Sequence, residues 1–220
     1  METKIENKDI CAKCGGKCCK GCGCVYVAKD FENIKIDYLE EILRSGRVSI
    51  VSHLDFQLTA NGRPYTNTTL YIRERNTNRG AIDLVSITTQ CASLEENGCC
   101  YDIDHRPTGG AALTPNYPND CTSAIPESEM LATWLPYQNI LRRLVKRFTG
   151  LSVEQKIRQD VEELAYKIIS NKKESYESQF SRNFLTLILE DFEIAFPNEV
   201  AKGRKRALSE TPFALIRKTK

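Results

Sequence analysis

Ten cysteines in a chain of 220 residues are the side chains most able to do chemistry here. Six of them, Cys11, Cys14, Cys18, Cys19, Cys22 and Cys24, crowd into the stretch CAKCGGKCCKGCGC. The other four, Cys91, Cys99, Cys100 and Cys121, follow in a stretch rich in glycine and proline. A thiolate is both a nucleophile and a soft metal ligand, so such density points to metal binding, redox exchange or disulfide cross-links. Disulfides need an oxidising compartment, and the opening METKIENKDI has no apolar stretch of the kind a secretion signal carries. A cytoplasmic, reducing setting is expected, and there dense cysteines read as metal ligands. The pair Cys11-Ala-Lys-Cys14 lacks the strand-then-helix setting of a dithiol redox motif and leaves the other cysteines unexplained.

The first four cysteines read C-x2-C-x3-C-C. A C-x2-C turn brings two thiolates to one ion without straining the backbone between them, and the glycines let the chain wrap. The adjacent side chains of Cys18 and Cys19 should diverge, so they serve two ions or one is a bystander. Cys91, Cys99, Cys100 and Cys121 come so much later that a shared site would have to be closed by the fold. All ten cysteines are candidate ligands, and zinc and iron, an Fe–S cluster included, both suit them. Neither the radical SAM spacing C-x3-C-x2-C nor the bacterial ferredoxin run occurs.

The segments CAKCGGKCC and CASLEENGCCYDIDHRP, with a later proline and cysteine, resemble the CxxCxxCC zinc- or iron-chelating (YkgJ-like) cysteine-cluster family. The later matching positions are Cys91, Leu94, Cys99, Arg106 and Pro107, and Trp134-Leu-Pro-Tyr-Gln138 is similar to members as well. The resemblance covers about residues 11–121 and implies a zinc or iron chelator, in a family whose activity is mostly undefined. The chain departs from the family after Arg106-Pro107, where Gly109 and Gly110 stand in place of an expected cysteine, and it carries a doubled Cys99-Cys100 instead.

Few other side chains compete for a chemical role. His105 lies beside Arg106 as a candidate ligand or donor, and His53 follows a β-like run and reads as a surface residue. Asp102 and Asp104 read as turn caps, and Arg73, Arg75 and Arg79 as a solvated strand face. An Arg106 guanidinium could donate to a thiolate and offset its charge. The motifs H-E-x-x-H, G-x-x-x-x-G-K-[ST] and G-x-S-x-G are absent. The last twenty residues hold seven basic side chains against one acid, Glu210, so the remainder is net acidic. Such a tail is more often solvated than bound to nucleic acid, which is not an expected partner. The longest apolar runs are too short to span a bilayer, so no membrane partner is expected.

The elements that must position the cysteines follow from periodicity. Ile36, Leu39, Ile42 and Leu43 line one face of a helix before Gly46, and β-like runs follow at Val48–Val51, Leu70–Arg75 and Ile82–Ile87. A helix from Pro136 presents Ile140, Leu141, Leu144, Val145 and Phe148 and ends before Gly150. Ser152 with Gln155 opens another to about Ser170, and a third runs from Tyr176 to Phe196 before Pro197. The expected fold is α+β: an irregular, Cys-rich, metal-stapled N-terminal half with short strands, followed by C-terminal helices packed as a hairpin. Residues 1–125 form the cysteine-cluster region, 126–200 the helical region and 201–220 a basic, flexible tail. Function reads as metal binding, by a chelator or an accessory component with a metal ion and a protein as partners. The competing readings are a metal-dependent enzyme with an open coordination position and a nucleic-acid-associated zinc protein.

Overall fold

The computed structural model describes Ile10, Lys13 and residues 16–21, 23–62, 64–85, 90–96, 98–117, 120–170 and 182–210. The α+β expectation holds. The cysteine knot contains a helical turn, α1 (Lys17–Gly21), and leads into a short strand, β1 (Val25–Tyr26). The knot was expected to hold no helix. The turn closes because the Lys20 N–H donates to the Gly16 carbonyl at 2.9 Å, and Gly16 accepts a φ of +71°.

Helix α2 (Ile36–Arg44) buries Leu39 and Leu43, one turn apart on one face, and ends as Gly46 takes a φ of +87°. Arg75 closes that end by donating to the carbonyls of Leu43 (2.7 Å) and Val48 (2.8 Å). Strands β2 (Val48–Leu58) and β3 (Pro64–Glu74) are far longer than the short runs expected, and the Asn61-Gly62 signal marks the turn between them. With β1 they form a sheet in the order β1-β3-β2, in which Val25 pairs with Arg73 and Tyr26 with Ile72. The expected strand at Ile82–Ile87 reduces to one parallel bridge, Ile50 to Ile82, and residues 86–89 lie outside the described residues.

Two small hairpins follow in the region expected to be loop. The first pairs β4 (Leu94–Glu95) with β5 (Gly98–Cys99), turned through Gly98 at φ +117°. After the short helix α3 (Thr108–Ala111), the second pairs β6 (Leu113–Tyr117) with β7 (Asp120–Ser123). Helix α4 (Glu127–Ala132) leads to α5 (Gln138–Thr149), which packs on α2, and Gly150 ends it in the left-handed region at φ +74°.

Two compact units emerge: one of residues up to Leu54 with Thr68–Val153, the other of Asp55–Asn67 with the chain from Glu154 onward. In the first unit α5 shares a core with the sheet. That core holds Leu39, Leu43, Val48, Ile50, Leu70, Ile72, Leu141 and Leu144, each at most 2% exposed. The first unit therefore has apolar order of its own. Trp134 is fully buried, donates its indole N–H to the Tyr26 carbonyl (2.7 Å) and meets Phe31 edge-on. The Gln138 amide accepts from the Leu70 N–H (2.9 Å) and donates to the Leu70 carbonyl (2.8 Å). The Trp134–Gln138 segment thus clamps β1 and β3.

In the second unit, α6 (Val153–Ile169) matches the helix expected to about Ser170, and α7 (Arg182–Ala195) lies within the one expected over Tyr176–Phe196. Helix α8 (Pro197–Glu210) stands where a basic tail was expected, and residues 171–181 lie outside the described residues. Pro197 ends one helix and begins the next, since its missing N–H costs nothing at a first helical position. The stretch 201–210, expected to be flexible, is helical because Val200, Gly203 and Ala207 repeat on one buried face; residues 211–220 lie outside the described residues. Phe56, at the far end of the hairpin, meets Phe192 edge-on. Among the described residues no helix is long and apolar enough to cross a membrane.

Gly203 supplies a test of this packing. Alanine in a helix normally gains about 0.5–1 kcal/mol over glycine. A methyl at 203 would stand 2.5 Å from the Glu162 carbonyl oxygen and 2.7 Å from the Ala165 Cβ. Gly203→Ala is expected to destabilise by about 1–3 kcal/mol. Urea denaturation should show a lower midpoint, and a raised midpoint would show that α8 does not seat on α6 as described.

Candidate metal centre

The two cysteine groups meet at the end of β3. Glu74 donates its N–H to the Cys24 carbonyl (2.8 Å), and the Gly23 N–H donates to the Asn76 side-chain oxygen (2.8 Å). Asn76 bridges to Cys91, and the Cys91 N–H donates to the Cys19 carbonyl at 2.6 Å. The approach is so close that a Cβ at Gly23 would lie 2.0 Å from the Glu74 carbonyl oxygen. Gly16 likewise faces Leu94, whose Cδ1 would be 2.5 Å from an added Cβ. Gly16 and Gly23 are therefore as much about contact with β3 and the Cys91 loop as about wrapping.

Three sulfurs bear on this junction. Cys91 is 3% exposed, and the backbone N–H groups of Ser93 and Cys24 donate to its sulfur. Burial pushes the Cys91 thiol up to about 11, against the pull of those donors. Cys99 is raised as well, again mainly by burial, and its sulfur accepts from the Tyr101 N–H and the Arg106 guanidinium. Arg106 thus stands against a thiol, in the position its place in the sequence had promised, and its Nε donates to the Tyr101 carbonyl (3.1 Å). The Cys24 sulfur fills the space beside Gly110, where an added Cβ would come within 2.8 Å of it. Asp30 holds the segment after Arg106-Pro107 by accepting from the Thr108 N–H (3.0 Å) and the Thr108 hydroxyl.

A carboxylate that sequence reasoning missed lies behind these sulfurs. Glu74 is 2% exposed and accepts from Tyr26 (2.6 Å), from Ser93 and from Tyr101 (3.1 Å) through their hydroxyls. Exposed Arg47 donates in turn to the Tyr101 phenol oxygen (3.0 Å). Burial and the neighbouring carboxylate both raise Tyr26, which remains a phenol and a donor, and burial raises Tyr101. One signal could have found this group: Tyr26, Ser93 and Tyr101 each stand two residues after a cysteine. The basic neighbours Arg73 and Arg75, read as a solvated strand face, are also turned inward: Arg73 pairs with buried Asp83 (3.5 Å), while Arg75 caps α2.

The remaining candidates separate. Cys100 is exposed, and Cys121 sits on β7 opposite Pro115. Cys11, Cys14 and Cys22, with the side chain of Cys18, lie outside the described residues. His53 and His105 are exposed, and Asp102 makes no side-chain cap for the turn that follows it. Among the described residues, no three His, Cys, Asp or Glu side chains group closely enough to hold a metal ion by themselves.

The thiol environments make a reactivity order. In metal-free, reduced protein, alkylation read by mass spectrometry should modify exposed Cys100 first and buried Cys91 last among the six cysteines whose side chains are described. Because only the thiolate reacts, the Cys91 rate should still be rising above the ordinary thiol pKa of about 8.5. A Cys91 rate that levels off there would contradict this environment.

No family model, no curated protein and no solved structure matches this chain.

Proposed function

We propose that the chain is a metal-binding cysteine-cluster protein that holds zinc or iron, an Fe–S cluster included, as a chelator or an accessory component of a larger assembly. The observation that carries this reading is the seating of one cysteine segment on the other: Cys91 donates to the Cys19 carbonyl, and Cys24 donates to the Cys91 sulfur. The donor chemistry fits a soft cation. Buried thiols that release their protons to solvent as a metal binds would need compensation for the thiolate charge, and the N–H groups of Ser93, Cys24 and Tyr101 with the Arg106 guanidinium supply it. Cys24, Cys91 and Cys99 would hold the metal together with thiolates of the early group, Cys11, Cys14, Cys18, Cys19 and Cys22. A metal so bound would add thiolate bonds between the two segments and, in an iron form, electron-transfer chemistry. The resemblance to the zinc- or iron-chelating family points the same way.

The competing readings find less support. Asp102, Asp104 and His105, the neighbours best placed in sequence to serve as base and orienter, are all exposed. The basic stretch of α8 is engaged: Arg204 pairs with Glu193 and Arg206 with Glu163, which weakens the case for a nucleic-acid surface.

Metal analysis and an absorption spectrum of anaerobically purified protein test the proposal. Stoichiometric zinc in a colourless protein, or iron with visible charge-transfer bands, is the expected result. Cys24→Ser and Cys91→Ser should each lose most of that metal. Wild-type protein without stoichiometric metal, or a Cys91→Ser variant that keeps all of it, would sink the reading.

A further inference from the structure

We infer that Glu74 is the positioning residue of the thiol set: one buried carboxylate holds, through their hydroxyls, the three residues that stand two positions after Cys24, Cys91 and Cys99. The inference rests on the metal-binding reading for its ligand, a thiophilic divalent cation, but its geometry is independent of that reading. Tyr26 lies far in the chain from Ser93 and Tyr101, which flank the β4–β5 hairpin, and all three donate to Glu74. Two of them have a second task. The Ser93 N–H donates to the Cys91 sulfur and the Tyr101 N–H to the Cys99 sulfur. Two of the three residues whose side chains the carboxylate grips therefore also feed sulfurs through their backbones.

The carboxylate suits this task better than an apolar residue would. A buried charge is tolerated only where donors surround it, so Glu74 demands its three hydroxyls in place. Each hydroxyl carries its own cysteine with it. The Glu74 N–H adds a direct tie by donating to the Cys24 carbonyl. Displacing any one segment strips a donor from the buried charge, so the three segments are held in one arrangement before a metal arrives. Tyr101 is steadied from outside by Arg47, whose guanidinium also stacks over its ring, 5.1 Å from the centroid.

Cobalt(II) titration of the full, reduced, metal-free chain tests this, since thiolate-to-cobalt bands report ligand number and geometry. Glu74→Gln keeps the shape of the side chain, loses the charge and leaves one oxygen as acceptor. It should bind cobalt on the order of 10- to 100-fold more weakly and with an altered ligand-field spectrum, the size seen when groups that orient ligands are removed. Its far-ultraviolet circular dichroism should match wild type, a readout that separates positioning from unfolding. Should Glu74→Gln fail to fold, Ser93→Ala and Tyr101→Phe each remove a single donor and are expected to shift affinity and spectrum in the same direction. Wild-type cobalt affinity and spectrum in a folded Glu74→Gln, or in both single-donor variants, would overturn the inference.

A second arm needs no metal. Alkylation of Cys24, Cys91 and Cys99 should accelerate together in Glu74→Gln, or in Ser93→Ala and Tyr101→Phe at their own cysteines, with Cys121 on its separate hairpin unchanged. If wild type takes up no cobalt but the three rates rise together, the metal reading fails and the positioning role stands. If the three rates stay at their wild-type values, the positioning role fails whatever the metal does.

Discussion

The arrangement around the cysteines depends on keeping one carboxylate in a dry place. Moving a polar group out of water without partners costs roughly 2–7 kcal/mol, and an ion far more. Glu74 avoids that cost through three hydroxyl donors, and hydrogen bonds to a charged group contribute about 1.5–3 kcal/mol each. The donors come from β1, from the loop after Cys91 and from the segment after Cys99. Satisfying one buried charge therefore closes three loops at once, and the positions of Cys24, Cys91 and Cys99 follow from that closure.

The frame that holds β3 in place is apolar and backbone-driven. Leu70 and Ile72 are fully buried on β3, and Gln138 completes the hydrogen bonding of Leu70 from α5. Trp134 fills the space beside β1 and satisfies the Tyr26 carbonyl, which fixes the strand that carries one of the Glu74 donors. Burying a side chain of this size contributes on the order of 2–3 kcal/mol. The segment from Trp134 to Gln138 is thus explained by strand support, and its link to the cysteines runs through Tyr26. Arg75 and Asp30 extend the same frame, one by closing α2 and the other by anchoring Thr108 after Arg106-Pro107.

Electrostatics set the resting state of the thiols. Burial outweighs the N–H donors at Cys91 and Cys99, so both sit above the ordinary thiol range and hold their protons at neutral pH. A divalent cation bound there would reverse that balance by adding its own charge at the sulfurs. The donors already in place, Arg106 among them, would then face thiolates rather than thiols. This gives a physical sense to the clustering of hydrogen-bond donors around side chains that, as thiols, make only weak use of them.

The clustering of candidate ligands was legible in the sequence, and the geometry was not. Ten cysteines, their C-x2-C spacing and the glycines between them mark the candidate site by residue type alone. Helices α2, α5 and α6 were readable because their apolar positions repeat every three to four residues and Gly46 and Gly150 mark two of the ends. What neighbouring residues encode, neighbouring residues reveal. The length of β2 and β3 escaped because exposed polar residues along their outer halves hide a strand pattern, and α8 escaped because its small buried residues look like a polar run. Glu74 escaped most completely: in sequence it is one acid between two arginines, and only a fold that brings residues 26, 93 and 101 together makes it a buried acceptor. The contact of Cys91 with Cys19 and Cys24 belongs to the same class. Such pairings form only after long loops have closed, and the free energy that closes them comes from the whole core rather than from the residues that finally touch.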